Sequence, residues 1–218
     1  MKTFLGIGSG PGIGLATAER FAREGFRLVL ANRTLEKTQA LVDQLKAKGY
    51  QAEARTVDAS DPAKVAALVA ETENQYGSID VLHYNAANLR QASIHSQTND
   101  TFVSDLAVNI GGALAAVQAV APKMKGAKKG TILLTGGGFA LHPHPDYLSI
   151  SIGKAGIRAL ALGLFESFKE IGIHVATVTV AMFVNPGSKE AQDVGEQFWL
   201  LHSQAPEQWV AEVIHPAN

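Results

Sequence analysis

The stretch Phe4-Leu5-Gly6-Ile7-Gly8-Ser9-Gly10-Pro11-Gly12-Ile13-Gly14 decides the fold. Its apolar start has strand length, and its glycines lead directly into a segment of helical period. Glycine lets a backbone turn sharply, approach a ligand and pack a following helix closely on a sheet. A helix opening straight after such a turn offers amide donors and partial positive charge to phosphates. In the order strand, glycine loop, helix, the residues Gly8, Ser9, Gly12, Ile13 and Gly14 read as a dinucleotide-phosphate loop. The plain alternative is a glycine-rich turn without a ligand.

The same alternation continues outward from the loop. Strand-like runs are Phe4–Ile7, Leu28–Ala31, Ala52–Val57, Val81–Tyr84, Thr131–Leu134 and His174–Val180. They are short, largely apolar and often β-branched, as strands buried on both faces should be. Helical period fills 13–24, 35–48, 62–76, 102–125 and 148–171. In 35–48 the spacing puts Leu35, Leu41, Val42 and Leu45 on one face. Asp61-Pro62 reads as an N-cap followed by proline at the first helical position. Alternating strands and helices imply right-handed crossovers and an α/β, Rossmann-type, doubly wound parallel sheet with helices on both faces. The expected organisation is six strands in the order 3-2-1-4-5-6, within one nucleotide-binding domain over 1–218.

Composition removes several function classes. The 218 residues include no cysteine, which excludes disulfides, thiolate catalysis and cysteine metal sites. Lys and Arg number 19 and Asp and Glu 20, a formal charge of −1. No basic surplus supports wholesale nucleic-acid binding. Lys123, Lys125, Lys128 and Lys129 cluster around two glycines and read as a solvated helix end. His142 and His144 form a His-x-His pair without a third ligand nearby, so no metal is expected. No apolar run is expected to reach the ~18–20 residues that cross a bilayer. MKTFLGIGSG reads as a first strand and loop rather than a signal peptide, so a cytoplasmic protein without a membrane partner is expected.

The end of the second strand, Ala31-Asn32-Arg33, bears on the nucleotide. An acid there would accept a hydrogen bond from the ribose 2′-hydroxyl of NAD; a guanidinium suits the 2′-phosphate of NADP instead. Asn32 and Arg33 therefore point to NADP(H) over NAD(H).

These motifs, with several further along, give a sequence that resembles the short-chain dehydrogenase/reductase family over nearly its whole length. Gly8-x-x-x-Gly12-Ile13-Gly14 matches that family's glycine motif. Val57-Asp58-Ala59 is similar to the segment after its third strand, where an aspartate faces adenine. Tyr84-Asn85-Ala86-Ala87 resembles its Asn-Asn-Ala-Gly motif, Asn109 its active-site asparagine, and Lys154 the lysine of Tyr-x-x-x-Lys. The resemblance implies that Asp58, Ala59, Asn85, Ala86, Ala87 and Lys154 contact the cofactor. It also implies catalytic roles for Asn109 and Lys154.

The sequence departs from the pattern where the chemistry is done. Ile150 stands four residues before Lys154, where the family has its tyrosine, and Gly137 stands where the family has its serine. Val180-Ala181 replaces the Pro-Gly pair after the sixth strand. A lost general acid costs ~10²–10⁴ in rate, and a lost oxyanion donor a comparable factor. Tyr147 is the first candidate for a substitute proton donor, although it lies seven residues from Lys154, roughly 10 Å along a helix at ~1.5 Å per residue. Thr135, Ser151 and a water between Lys154 and Asn109 are weaker candidates.

The resemblance implies an NADP(H)-dependent oxidoreductase acting on a small, mostly apolar carbonyl or alcohol substrate with a rearranged proton donor. A nucleotide-binding sensor or scaffold without turnover is the main alternative. A lyase or isomerase using His142 or Tyr147 is another. Phe198-Trp199-Leu200-Leu201 falls where similar proteins carry a mobile lid, and reads as a pocket cover or a subunit contact. Pro206-Glu207-Gln208-Trp209-Val210 reads as the start of a last helix, with no seventh strand beyond it. Similar proteins pair their long helices between subunits, so a homo-oligomer is expected. A missing seventh strand would favour a dimer over a tetramer.

Overall fold

In the computed structural model, which describes residues 1–217, seven parallel strands form one sheet in the order β3-β2-β1-β4-β5-β6-β7. The strands are β1 (Thr3–Ile7), β2 (Arg27–Asn32), β3 (Ala52–Thr56), β4 (Val81–Tyr84), β5 (Gly130–Thr135), β6 (Ile173–Val180) and β7 (Glu212–His215). The helices are α1 (Ile13–Arg23), α2 (Leu35–Ala47), α3 (Pro62–Tyr76), α4 (Asn99–Leu106), α5 (Gly112–Ala127), α6 (Leu148–Lys169) and α7 (Lys189–Ser203). A π turn, Ala107–Gly111, joins α4 to α5.

Every residue of β1, β4, β5 and β6 is buried, which their two-sided apolar character demands. One face of the sheet carries Leu5, Ile7, Val29, Leu82 and Tyr84 into a core with α3, α5 and α6. The other carries Phe4, Leu28, Leu30 and Val81 into a core with α1, α2 and α7. Asp61 caps α3 as expected, accepting from the Ala63 and Lys64 amides with Pro62 at the first position. On α2 the buried residues include Leu41, Val42 and Leu45, but Leu35 is exposed because it sits in the first turn, beyond the sheet edge.

The sheet corrects the expected strand count. β7 pairs parallel to β6, from Thr177↔Glu212 to Val180↔His215. Glu212-Val213-Ile214-His215 carries no apolar run of its own and so gives no strand signal. Tertiary contacts recruit it: Arg158 of α6 donates to both Glu212 carboxylate oxygens at 2.7–2.9 Å, and Thr179 of β6 donates to one of them at 2.6 Å. The expected last helix shrinks to a single 3₁₀ turn, Pro206–Gln208. The preference for a dimer over a tetramer thereby loses its premise, since the strand it supposed missing is present.

Two further expectations change. The helical stretches Asn99–Ala127 and Leu148–Lys169 are long and apolar enough to cross a membrane by length and composition. Here they are layers of an α/β sandwich, α6 lying on β5 and β6 and α5 on β4 and β5. Phe198 and Leu201 are core rather than lid: both are fully buried under the sheet, and the Phe198 ring lies 4.6 Å from the His83 ring. α7 therefore packs down on α1 and the strands. Phe198→Ala is expected to cost about 3–5 kcal/mol of stability, as a large buried ring does. Urea unfolding checks this, and an unchanged midpoint would restore the lid.

Candidate active site

The strand order reverses between β1 and β4, which opens a crevice at their carboxyl ends, where ligands bind in such sheets. Asn85 fastens the two sides of the crevice. Its amide donates to the Ile7 carbonyl at 2.8 Å, and its side chain donates to the Gly8 carbonyl at 2.9 Å. Gly8 has φ +80°, and a Cβ there would strike the Ala86 backbone, so only glycine fits. The Gly8 and Ser9 amides both reach the Ala31 carbonyl, at 2.9 and 3.1 Å, tying the loop to β2.

A cleft of about 330 Å³ results, lined by Gly8, Asn32, Arg33, Val57, Ala59, Asn85, Ala86, Ala87, Asn88 and Val108. Seven residues singled out from the sequence meet there: Gly8, Asn32, Arg33, Ala59, Asn85, Ala86 and Ala87. Asp58 instead lines an adjoining hollow with Lys64 and Leu68, and Arg33 borders both spaces. Its carboxylate accepts from the Ser60 hydroxyl at 2.7 Å and the Ser60 amide at 3.0 Å, which holds its pKa below the usual range. Asn32 is committed locally, donating to the Ser9 carbonyl at 3.2 Å and accepting from the Arg33 amide at 2.8 Å. The Arg33 side chain is exposed and makes no hydrogen bond among the described residues. Ser9 is buried and bonds the Gly6 carbonyl at 3.0 Å, shaping the loop from below. No side chain caps α1 at Gly12, and the Cβ positions of Gly10 and Gly12 look into open space. A glycine loop around uncapped helix amides fits a dinucleotide diphosphate.

Asn109 sits in the π turn with 1% of its surface exposed. Its side chain clamps the Asn88 backbone in both directions, accepting from the amide at 2.6 Å and donating to the carbonyl at 3.2 Å. The π turn displaces a carbonyl, and the buried Tyr84 hydroxyl takes it, donating to Val108 at 2.6 Å. A Cβ at Gly153 would collide with Asn109, so glycine lets α6 approach the turn. Sequence reasoning missed the group that braces this region. Asp105, fully buried, accepts from Arg90 at 2.7 and 3.1 Å, Ser149 at 2.9 Å and Asn88 at 3.4 Å. Burial pushes its carboxyl up, but the Arg90 and Ser149 bonds and the Arg90 charge outweigh this and leave it below the usual range. The one available signal was an aspartate inside an apolar helical pattern, four residues before Asn109.

Lys154 reaches from α6 to the end of β5 and donates to the Thr135 carbonyl at 2.6 Å. Burial lowers its pKa to about 8. Its stem passes 3.3–3.5 Å from where a Cβ on Gly137 would lie. Ile150 is buried and carries no polar atom. Tyr147 precedes α6, and its ring stacks on Phe139 at 5.4 Å and meets the His144 edge at 5.4 Å. No hydrogen bond joins Tyr147 to Lys154 among the described residues. His142 and His144 are exposed, and His144 Nδ1 accepts from the Asp146 amide within the loop. Among the described residues no group of three His, Asp or Glu could hold a metal ion.

Fold and cleft together define a Rossmann-type α/β protein with a crevice at the strand switch. The chain belongs to the short chain dehydrogenase family, whose model matches residues 2–194. It is 30% identical over 193 residues to 2,3-dihydro-2,3-dihydroxybenzoate dehydrogenase of Bacillus subtilis, covering 88% of this chain and 71% of that one. It is also 30% identical over 207 residues to glucose 1-dehydrogenase of Gluconobacter oxydans, covering 94% and 78%. A metagenomic short-chain oxidoreductase crystallised in complex with NADP superposes with a TM-score of 0.91 at 26% identity, covering 98% of this chain and 96% of that one.

Behind the site, His83 is buried between Phe4 and Phe198 with Nε2 3.0 Å from the Thr135 hydroxyl. Burial, with the Lys154 charge adding to it, lowers its pKa to about 3. An unfolded histidine titrates near 6.5. The stability His83 contributes is therefore present above about pH 6.5 and is lost as pH falls toward 3, because only the unfolded chain takes up the proton. Stability should fall by up to about 1.4 kcal/mol per pH unit from this group. Urea titrations from pH 7 to 4 check this; a His83→Gln variant with the same slope would refute it.

Proposed function

We propose that the chain is an NADP(H)-dependent oxidoreductase that interconverts a small carbonyl substrate and its alcohol. The observation that carries this is the cleft at the β1–β4 switch, with Arg33 unpaired at its rim, in a member of the short chain dehydrogenase family. When bound, the nicotinamide supplies the hydride. The Gly8–Gly14 loop and the α1 amides hold the diphosphate through backbone donors. Arg33 takes the 2′-phosphate, since a free guanidinium at this rim suits phosphate and cannot accept a hydroxyl proton. Asn85, Ala86 and Ala87 form the wall that keeps the nucleotide against the β1 loop, and Ala59 borders the adenine side. Lys154 and Asn109 stand at the reaction end, Asn109 through its hold on Asn88.

The NADP complex of the metagenomic relative supports the choice of nucleotide. The dehydrogenase relatives support the reaction class. Leu114 on α5 and Ile152 and Leu162 on α6 are exposed apolar residues, which supports self-association through these helices. Arg33→Ala should weaken NADPH binding on the order of tenfold to hundredfold, the worth of a charge-assisted contact of ~1.5–3 kcal/mol, and leave NADH unchanged. Fluorescence titration with both nucleotides checks this. Equal affinities in the parent chain would overturn the preference. Tight NADPH binding without oxidation across a broad carbonyl panel would overturn the enzyme in favour of a sensor.

A further inference from the structure

We propose that Lys154 is itself the acid that protonates the substrate oxygen, its stem crossing the end of β5 beside Gly137 and its ammonium only partly committed to the protein. The proposal rests on the oxidoreductase function above and names its proton donor.

Three other hydroxyls near the site are spent. Ser151 donates to the Tyr147 carbonyl at 2.8 Å and accepts from the His144 amide at 3.2 Å. The Thr135 hydroxyl pairs with His83 at 3.0 Å, and Ser149 donates to Asp105. The Tyr147 hydroxyl makes no hydrogen bond among the described residues, but its ring stacks on Phe139 and meets the His144 edge ahead of α6, with no bond to Lys154, and Ile150 has no proton to give. Lys154 differs from all of these. An ammonium carries three N–H donors, and among the described residues one alone is used, on the Thr135 carbonyl. The other two have no protein partner among the described residues. The Lys154 stem crosses the end of β5 within 3.3–3.5 Å of where a Cβ on Gly137 would lie. The groups around it leave its charge uncompensated. His83 on β4, reached through Thr135, is neutral, and Asn109 in the π turn is uncharged. Arg158, one turn along α6, is tied to Glu212. Burial without a counter-charge holds the ammonium near pH 8, close to the working range of a general acid.

The step balances. A reduced nicotinamide, when bound, would supply the hydride to the carbonyl carbon, and the C=O electron pair would move onto oxygen. One Lys154 N–H bond breaks as the O–H bond forms. The neutral amine then recovers its proton from water.

Lys154→Arg separates binding from proton transfer, because guanidinium keeps the charge and the donors but does not release a proton at working pH. At NADPH concentrations that fluorescence titration shows to be saturating, it should reduce a carbonyl that the parent reduces on the order of 10²–10⁴-fold more slowly. In the parent, carbonyl reduction should decline as pH rises through about 8. A readout without turnover accompanies these: NMR of ¹³C-methylated lysines in the cofactor-free protein. One resonance should titrate near pH 8 and be missing from Lys154→Arg. Near-parental turnover in Lys154→Arg, or titration of that resonance at the ordinary lysine value of about 10.4, would overturn the proposal. Should arginine disturb the fold, as circular dichroism would report, Lys154→Met with added methylamine takes its place. Recovered turnover supports the proposal and none overturns it. A parent that binds NADPH but reduces no carbonyl defeats the function above and this proposal with it. An active Lys154→Arg defeats this proposal alone.

Discussion

The two hydrogen bonds from Asn85 to Ile7 and Gly8 hold the crevice open at one fixed width. They join the ends of β1 and β4, neighbours in the sheet whose connections leave toward opposite edges. Gly8, with its positive φ and its contact with Ala86, exists to let this junction close. A side chain there would part the strands and lift the glycine loop from β2. The cleft residues are spread over the β1, β2, β3 and β4 loops, and this junction sets their spacing.

A second constraint comes from the irregular helix. A π turn costs regular hydrogen bonds, so its persistence needs partners from elsewhere. Tyr84 supplies one from the sheet, and Asn109 uses the widened turn to grip Asn88 on the cleft wall. Asp105 completes the brace, linking α4 to Arg90 and to Ser149 on α6. A fully buried carboxylate is costly unless satisfied, and here three side chains satisfy it. Asn109 thus acts by fixing backbone, which fits a residue with almost no exposed surface.

Around the meeting of β5 and α6 the Thr135, Ser149 and Ser151 hydroxyls are all hydrogen-bonded. At the end of β5 and the start of α6, Gly137 and Ile150 carry no polar side-chain atom, and the Lys154 stem passes Gly137 on its way to the Thr135 carbonyl.

Much of this was legible in the sequence because it depends on local rules. Strand length, helical period, the Asp61-Pro62 cap and the glycine loop are each written within a few residues, and they fixed an α/β fold with β1 to β6 close to their observed bounds. The cleft residues were legible for the same reason: they follow strand ends. What stayed hidden depends on partners distant in sequence. β7 has no apolar signature and is a strand because Arg158 and Thr179 hold Glu212 beside β6. Asp105 is a brace only because Arg90 and Ser149 converge on it. Phe198 looked like a lid because a short apolar run cannot announce which side of the chain it covers; packing against His83 and Phe4 made it core. Tyr147 and Lys154 share a helix face by spacing, but aromatic stacking on Phe139 claimed the tyrosine ring. Local periodicity determined the elements and the glycine loop. Long-range hydrogen bonds and burial decided which polar groups are spent and which remain free for chemistry.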